Sequence, residues 1–85
     1  MSFVSQLLKA LFLKHQERVT GYRERISHNC GGLTDIQWEA ILYDCQTRIA
    51  YNGESLWREL DLYEEAAAIG GKEMALARIK YGGER

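Results

Sequence analysis

The apolar residues of the first thirty positions recur at the spacing of an α-helix. With 3.6 residues per turn, many of them fall on one arc of such a helix, while polar and charged residues fill the opposite side. The arc consists of Val4, Leu8, Leu11, Phe12, Val19, Tyr22 and Ile26. This pattern predicts a long amphipathic helix from about Ser2 to Ser27.

A second and a third helix follow, with one main apolar stripe each. The run Thr34-Asp35-Ile36-Gln37 is a capping box, in which the Thr34 side chain accepts from the backbone of Gln37 and the Gln37 side chain bonds back. It predicts that the second helix begins just after Thr34. The second stripe is Trp38, Leu42, Cys45 and Ile49, and the third is Leu56, Leu60, Tyr63 and Ala67.

Glycine and asparagine mark the joints between these segments. Both residues tolerate the left-handed conformation in which helices commonly end. We therefore expect helices to stop at Gly31-Gly32, Asn52-Gly53, Gly70-Gly71 and Gly82-Gly83. After Gly71 the pattern predicts a short fourth helix from Lys72 to about Tyr81. Its main apolar side would carry Met74, Ala77 and Tyr81, with Leu76 and Ile79 on the opposite side.

The chain is expected to form one all-α domain, residues 1–85, as a small bundle of three main helices and a short C-terminal helix. It contains no proline, 46% hydrophobic residues and 27% charged residues. That composition is typical of a folded globular protein and not of a disordered one.

The second and third helices carry more apolar residues than a three-helix bundle requires. The larger members of this additional strip are Ile36, Tyr43, Tyr51, Leu62 and Ile69. Either one helix lies at the centre of the bundle and is covered by other elements on all sides, or the additional strip forms a subunit interface. Because a core of 85 residues is small and gains stability from association, we expect a homodimer with these five residues at its interface.

The net charge of −1 conceals an uneven distribution along the chain. Residues 1–30 carry a charge of +3, residues 31–71 carry −6, and residues 72–85 carry +2. One interpretation is that a basic helix packs beside two acidic ones. The other is that one charged face is left to meet a partner.

Candidate chemistry is confined to the stretch between the first two helices. A thiol-dependent enzyme or a metal site would have to use His28 and Cys30, with His15 and Cys45 as the remaining ligands. Zinc sites need paired ligands at short spacing, and His28-x-Cys30 has no second pair. His15 is expected in the core, and Asn29 or Gly31 is expected to end the helix. We therefore expect no enzyme, no metal and no cofactor.

Nucleic acid and membrane are weaker alternatives. A nucleic-acid-associated protein would use the basic first helix and collect basic groups on one surface, namely Lys9, Lys14, Arg18, Arg23 and Lys80. The sequence pI of about 6.1 argues against a dedicated binder. The cluster of Phe3, Leu7, Leu8, Leu11 and Phe12 suggests membrane-surface binding, but the same helix must supply core to its neighbours.

The location expected from the sequence is the cytoplasm. The apolar run from Phe3 to Leu13 is shorter than the roughly 20 residues that span a bilayer, and no basic residue precedes it as in a signal peptide. Two cysteines do not make the disulfide framework of a small secreted protein.

The function that remains is protein binding by a small regulator, inhibitor or adaptor, of the kind common among accessory and viral-encoded proteins. Trp57 is placed roughly 90° from the third stripe, so we expect it to be partly exposed. Tryptophan and arginine are frequent interaction hot spots, and carboxylates around them steer a charged partner. The predicted partner site is Trp57, Arg58, Glu54, Asp61, Glu64 and Glu65.

Overall fold

The computed structural model of the protein describes residues 3–82, with side chains described from residue 13 onward. Over that range it contains three helices and no strand, which confirms the all-α bundle. The helices are α1 (Phe3–Cys30), α2 (Asp35–Asn52) and α3 (Leu56–Ala77).

Helix α1 continues three residues beyond its predicted end and stops at the glycine pair. The backbone N–H of Gly32 donates to the carbonyl oxygen of Ser27, and the backbone N–H of Gly31 donates to the carbonyl oxygen of His28. These two bonds, with Gly31 at a φ of 71°, form a Schellman motif that satisfies carbonyls at the helix end. The stretch around His28 and Cys30 is therefore a helix terminus, and the left-handed residue is Gly31.

Helix α2 begins and ends where the sequence predicts. Thr34 accepts from the backbone N–H of Gln37 at 3.1 Å, and the Gln37 side chain accepts from the Thr34 N–H at 3.0 Å. The predicted capping box is thus confirmed. At the other end Gly53 adopts a φ of 69° and its N–H donates to the carbonyl oxygen of Ile49.

Helix α3 bends at the predicted glycine pair but is not followed by a clearly separate fourth helix. Gly71 has a φ of 68° and a ψ of −155°, outside the helical range, and the helix resumes after it as far as Ala77. The prediction of a distinct helix reaching Tyr81 is therefore not supported. Residues 78–82 instead form a non-helical C-terminal segment.

The core lies on both sides of α3, which packs along α1 and α2 while those two helices contact each other far less. Among the described side chains its buried hydrophobic residues are Tyr22, Ile26, Trp38, Ile41, Cys45, Leu60, Tyr63, Ala67 and Ala75. Most belong to the predicted stripes, but Ile41 and Ala75 were not predicted. Four residues of the predicted arc lie outside the described side chains, namely Val4, Leu8, Leu11 and Phe12. Beyond Gly71 the predicted orientation is wrong, because Met74 and Ala77 are exposed whereas Leu76 and Ile79 pack against the core.

Candidate interaction site

A groove of about 300 Å³ separates the middle of α1 from the second half of α2. The two helices pack on α3 and contact each other far less. The lining residues of the groove are His15, Gln16, Val19, Thr20, Leu42, Gln46, Ile49 and Leu56. The four aliphatic side chains are partly buried, and the four polar ones are exposed along the rim. The groove therefore has an apolar floor with a polar, largely neutral edge.

His15 joins this groove to the neighbouring surface of α3. The sequence placed it in the core, but the structure exposes it, because it lies at the rim of the groove that separates α1 from α2. Its ring lies 5.1 Å from the ring of Trp57, measured between centroids. The groove and the predicted partner site around Trp57 are thus continuous.

Trp57 is half-buried against α1 at the edge of the core. Its ring stacks on Tyr22 with centroids 6.0 Å apart, and the guanidinium carbon of Arg18 lies 4.1 Å from its centroid. A guanidinium at that distance is favourable because of the negative face of the indole. Trp57 is therefore held in one position, with part of its surface accessible beside His15.

The other predicted partner-site residues separate into two groups. Asp61 accepts a hydrogen bond from the hydroxyl of Tyr22 at 2.5 Å, and Glu64 accepts from Arg25 at 3.1 Å. These two carboxylates therefore join α3 to α1. The remaining residues make no such contact among those described: Arg58 and Glu65 are exposed, and Glu54 is half-buried. The structure thus brings only Trp57, Asp61 and Glu64 together against α1.

The uneven charge distribution is accounted for largely by these contacts. Besides the bond between Arg25 and Glu64, Arg23 of α1 donates to Asp35 at the start of α2 at 2.5 Å. The basic first helix packs beside acidic helices, as the simpler interpretation of the charge pattern expected. Because these pairs are exposed, each contributes only about 0–1 kcal/mol to stability.

The five residues predicted for a subunit interface are mostly exposed. Ile36, Tyr51 and Ile69 are exposed by 70% or more, whereas Tyr43 is 45% exposed and Leu62 is half-buried. Tyr51 stacks on Tyr81 of the C-terminal segment, and both line a shallow depression together with Tyr43. That segment therefore contacts the strip at Tyr51 and leaves most of it exposed. The interface itself stays a prediction.

A buried charge cluster lies where the C-terminal segment crosses α2. Asp44 is fully buried and Glu59 is 3% exposed. Arg48 Nε donates to Asp44 at 2.8 Å and lies 3.6 Å from Glu59, while Arg78 donates to Glu59 at 3.1 Å. The hydroxyl of Tyr63 also donates a hydrogen bond to the carboxylate of Asp44. Two buried carboxylates are therefore neutralised by two partly buried guanidinium groups.

The cluster also fixes the backbone of the C-terminal segment. Asp44 Oδ1 accepts from the backbone N–H of Lys80 at 2.9 Å and of Tyr81 at 2.8 Å, and Arg48 donates to the carbonyl oxygen of Arg78 at 3.1 Å. Burial by itself raises the pKa of Asp44. The hydrogen bonds from Tyr63, Arg48 and the two backbone groups outweigh that effect, so the pKa lies below its usual value.

Sequence reasoning did not single out this cluster. The available signal was the spacing of Asp44 and Arg48, four residues apart on α2, directly beside the apolar Cys45. Nothing in the sequence indicated that residues 78–82 would fold back onto that pair.

The thiol candidate lacks the features of a reactive cysteine. Burial raises the pKa of Cys30, an effect that the positive charge of Lys72 only partly offsets. A nucleophilic cysteine requires the opposite shift. His28 is exposed at the end of α1. Among the described residues no group of three or more histidine, cysteine or acidic side chains could hold a metal ion.

The basic residues expected of a nucleic-acid binder are distributed over different parts of the surface. Arg18 lies over Trp57, Arg23 bonds to Asp35, and Lys80 lies 5.3 Å from the ring centroid of Tyr81. Lys14 is exposed, and the side chain of Lys9 falls outside the described residues. Those that can be placed thus do not form a single basic face.

None of the helices, over the residues that the structure describes, is both long and apolar enough to cross a membrane. Comparison of the chain with known protein families, with characterised proteins and with solved structures gives no match. The function must therefore be argued from the surfaces described above.

Proposed function

We propose that the protein is a small non-enzymatic module that binds another protein and acts on it as an adaptor, regulator or inhibitor. The observation that supports this proposal best is the groove between α1 and α2. Its floor of Val19, Leu42, Ile49 and Leu56 is apolar, yet these side chains are only partly buried. A partly exposed apolar floor gains free energy when a partner covers it.

The position of the groove between two helices, with an apolar floor and a polar rim, suits an amphipathic helix. Such a helix lays its apolar residues, at spacings of three and four, between two helices of the receptor, and its polar face stays in water. The exposed rim residues Gln16, Thr20 and Gln46 offer hydrogen-bonding groups on both sides. Since none of these three is charged, a helix can enter without leaving a buried ion unpaired.

Trp57 extends the proposed site at the His15 end of the groove. Its position is fixed by Tyr22 and Arg18, so little conformational entropy is lost when a partner contacts its exposed edge. The position of Trp57 beside the groove supports one part of the partner site that the sequence predicts. Glu65 and Arg58, which the same prediction includes, are exposed to solvent.

The cytoplasm is the compartment that fits this proposal. Cys30 and Cys45 are both free thiols, and free cysteines persist where the environment is reducing. The homodimer expected from the exposed strip residues is part of the same proposal. It would use the exposed strip of α2 outside the groove lining, where Ile36 is 78% exposed.

A pair of matched variants tests whether the groove is the binding surface. Gln46→Lys adds a long charged side chain at the groove rim, and Ala68→Lys adds the same group at an exposed position of α3 that belongs to neither proposed surface. We expect tagged wild-type protein and Ala68→Lys to capture the same partner from native cells, and Gln46→Lys to lose it. If Gln46→Lys retains the partner, or Ala68→Lys alone loses it, the groove is not the site.

A further inference from the structure

We propose that two copies of the chain pair antiparallel along α2, so that Ile36 of each copy enters the tyrosine-lined depression of the other. This inference rests on the proposed function, because it specifies the contacts of the homodimer that belongs to that proposal. It is carried by the residues along the outer face of α2, by the depression and by the C-terminal segment, which forms one wall of the depression.

The outer face of α2 presents a seam of five uncharged residues. They are three or four positions apart, namely Ile36, Ala40, Tyr43, Thr47 and Tyr51. With 3.6 residues per turn they lie within about 80° of one another around the helix. Ile36 and Tyr51 are 78% exposed and Tyr43 is 45% exposed, whereas the small Ala40 and Thr47 are half-buried. Large side chains thus alternate with small ones, as in helix pairs that pack knobs into holes.

The depression lies at one end of this seam. It has a volume of about 400 Å³ and is lined by Tyr43, Thr47, Tyr51 and Tyr81. The Thr47 hydroxyl donates to the carbonyl oxygen of Tyr43 at 2.8 Å, so it can be covered without leaving a donor unsatisfied. The depression is therefore suited to an aliphatic side chain that packs against aromatic rings.

Tyr81 is held in place as a wall of the depression. Its backbone N–H donates to the buried carboxylate of Asp44 at 2.8 Å, and its ring centroid lies 6.3 Å from that of Tyr51. The guanidinium carbon of Arg48 lies 5.7 Å from the same ring centroid. Because these contacts exist within one copy, little ordering is required when a second copy binds. The C-terminal segment thereby becomes part of the subunit interface.

The seam is complementary to itself about a two-fold axis. Ile36 and Tyr51 each lie about 11 Å from the point midway between them, at 1.5 Å per residue. An antiparallel pair of α2 helices centred there places Ile36 of each copy at the depression of the other, so one axis generates both contacts. The seam is uncharged, so pairing it with its own copy brings no like charges together. An unrelated protein would have to supply both a matching side chain and a matching depression.

The exposed area corresponds to a dimer of modest affinity. At about 150–250 Å² for each aromatic side chain, the exposed parts of Tyr43 and Tyr51 contribute on the order of 500 Å² from both copies. With Ile36, Tyr81 and the residues that flank the seam, the total approaches the lower limit of specific interfaces, about 1,200 Å². We therefore expect a dissociation constant in the micromolar range.

Two single variants test the contact. Ile36→Lys replaces the side chain that enters the depression, and Tyr51→Glu places a negative charge in the depression. Both positions are 78% exposed, so both variants should fold, which thermal melting checks. We expect the wild type to sediment at twice 9.8 kDa at high micromolar concentration. Each variant alone should raise the dissociation constant of the dimer at least about tenfold.

An equimolar mixture of Ile36→Lys and Tyr51→Glu tests the antiparallel register. In the mixed dimer the introduced lysine faces the introduced glutamate, and Ile36 of the other copy meets an unchanged depression. The mixture should therefore associate more tightly than either variant alone. The matched control mixes Ile36→Lys with Tyr51→Lys, which opposes two lysines and should associate more weakly. At about 0.15 M salt, charges more than about 8 Å apart are screened, so a difference between the mixtures reports proximity.

Tyr81→Ala tests the wall that the C-terminal segment supplies. The substitution keeps the backbone N–H that donates to Asp44 and removes only the ring. We expect an unchanged circular dichroism spectrum and a dissociation constant raised about tenfold. A dimer as tight as the wild type would remove Tyr81 from the interface and contradict the inference.

Three further results would overturn the inference. A wild type that stays monomeric at high micromolar concentration excludes the second copy. A dimer unaffected by Ile36→Lys and Tyr51→Glu places the interface elsewhere. Equal affinities of the two mixtures contradict the antiparallel register. The capture experiment with Gln46→Lys concerns the groove and leaves the seam unchanged, so failure of the groove proposal and failure of this inference are distinguishable.

Discussion

The carboxylate of Asp44 in α2 accepts a hydrogen bond from the backbone N–H of Tyr81 at 2.8 Å, across 37 positions of sequence. The same oxygen accepts from Lys80. A fully buried carboxylate that bonds two consecutive backbone groups makes residues 78–82 a part of the fold and fixes their path across α2. Gly82 allows that path, since a Cβ there would clash with the carbonyl oxygen of Ala40.

Replacing Asp44 by asparagine should destabilise the protein strongly. The change removes the negative charge that balances Arg48 and leaves this partly buried guanidinium with only Glu59, 3.6 Å away, so the loss should be up to about 3 kcal/mol. Urea unfolding measures this loss, and hydrogen exchange should show faster exchange at Lys80 and Tyr81. Asp35→Asn is the control, because its exposed pair with Arg23 is worth only about 0–1 kcal/mol. Equal effects of the two substitutions would refute the account of the cluster.

The lowered pKa of the Asp44 carboxyl determines how the stability of the protein should depend on pH. The pKa of Asp44 is lower in the folded protein than its unfolded value of about 3.9, so the folded state binds the proton less readily. Its contribution to stability is therefore fully present above the unfolded pKa and is lost as pH falls through the folded pKa. We expect the free energies of unfolding of wild type and Asp44→Asn to converge below about pH 4. A difference that stays constant from pH 7 to pH 3 would contradict this prediction.

The two cysteines should differ sharply in reactivity and in structural importance. Burial raises the pKa of Cys45 to about 12, and the side chain is fully enclosed. Its thiol should react with a disulfide reagent only when the protein unfolds, whereas the half-buried Cys30 should react slowly in the folded state. Cys30→Ser should change stability by no more than about 0.5 kcal/mol. Cys45→Ser should cost about 1–3 kcal/mol. Rapid modification of Cys30 together with loss of activity would favour a thiol enzyme instead.

Trp57 should matter more for binding than for folding. Leu60 is fully buried, and its replacement by alanine should cost about 2–5 kcal/mol of stability. Trp57 lies at the edge of the core, so Trp57→Ala should cost less stability but weaken partner binding by about 2 kcal/mol or more. Chemical unfolding and titration calorimetry give the two quantities. If Trp57→Ala unfolds the protein as severely as Leu60→Ala, the residue serves the core.

The helices themselves were largely predictable from local sequence. Thr34 and Gln37 cap α2 as expected, and Gly31, Gly53 and Gly71 adopt positive φ angles where the chain was predicted to stop or bend. These features depend on residues close together in sequence, so the pattern of side chains is sufficient to identify them.

What could not be predicted depends on contacts between distant segments. The expected inward position of His15 is wrong because a groove separates α1 from α2 at this residue, and helical periodicity alone does not reveal that gap. The buried pair of Asp44 and Glu59 was missed because carboxylates are ordinarily exposed. Their burial depends on Arg78, which reaches Glu59 only after the chain turns at Gly71.

Photo-crosslinking from within the groove tests the central claim most directly. A benzoylphenylalanine residue in place of Gln46, with the same residue in place of Ala68 as control, would react with whatever lies beside each position. The account predicts that the Gln46 position crosslinks to an apolar helical segment of a partner protein and that the Ala68 position does not. Crosslinks from Ala68 only, with none from Gln46, would contradict the claim that the groove between α1 and α2 is where a protein binds.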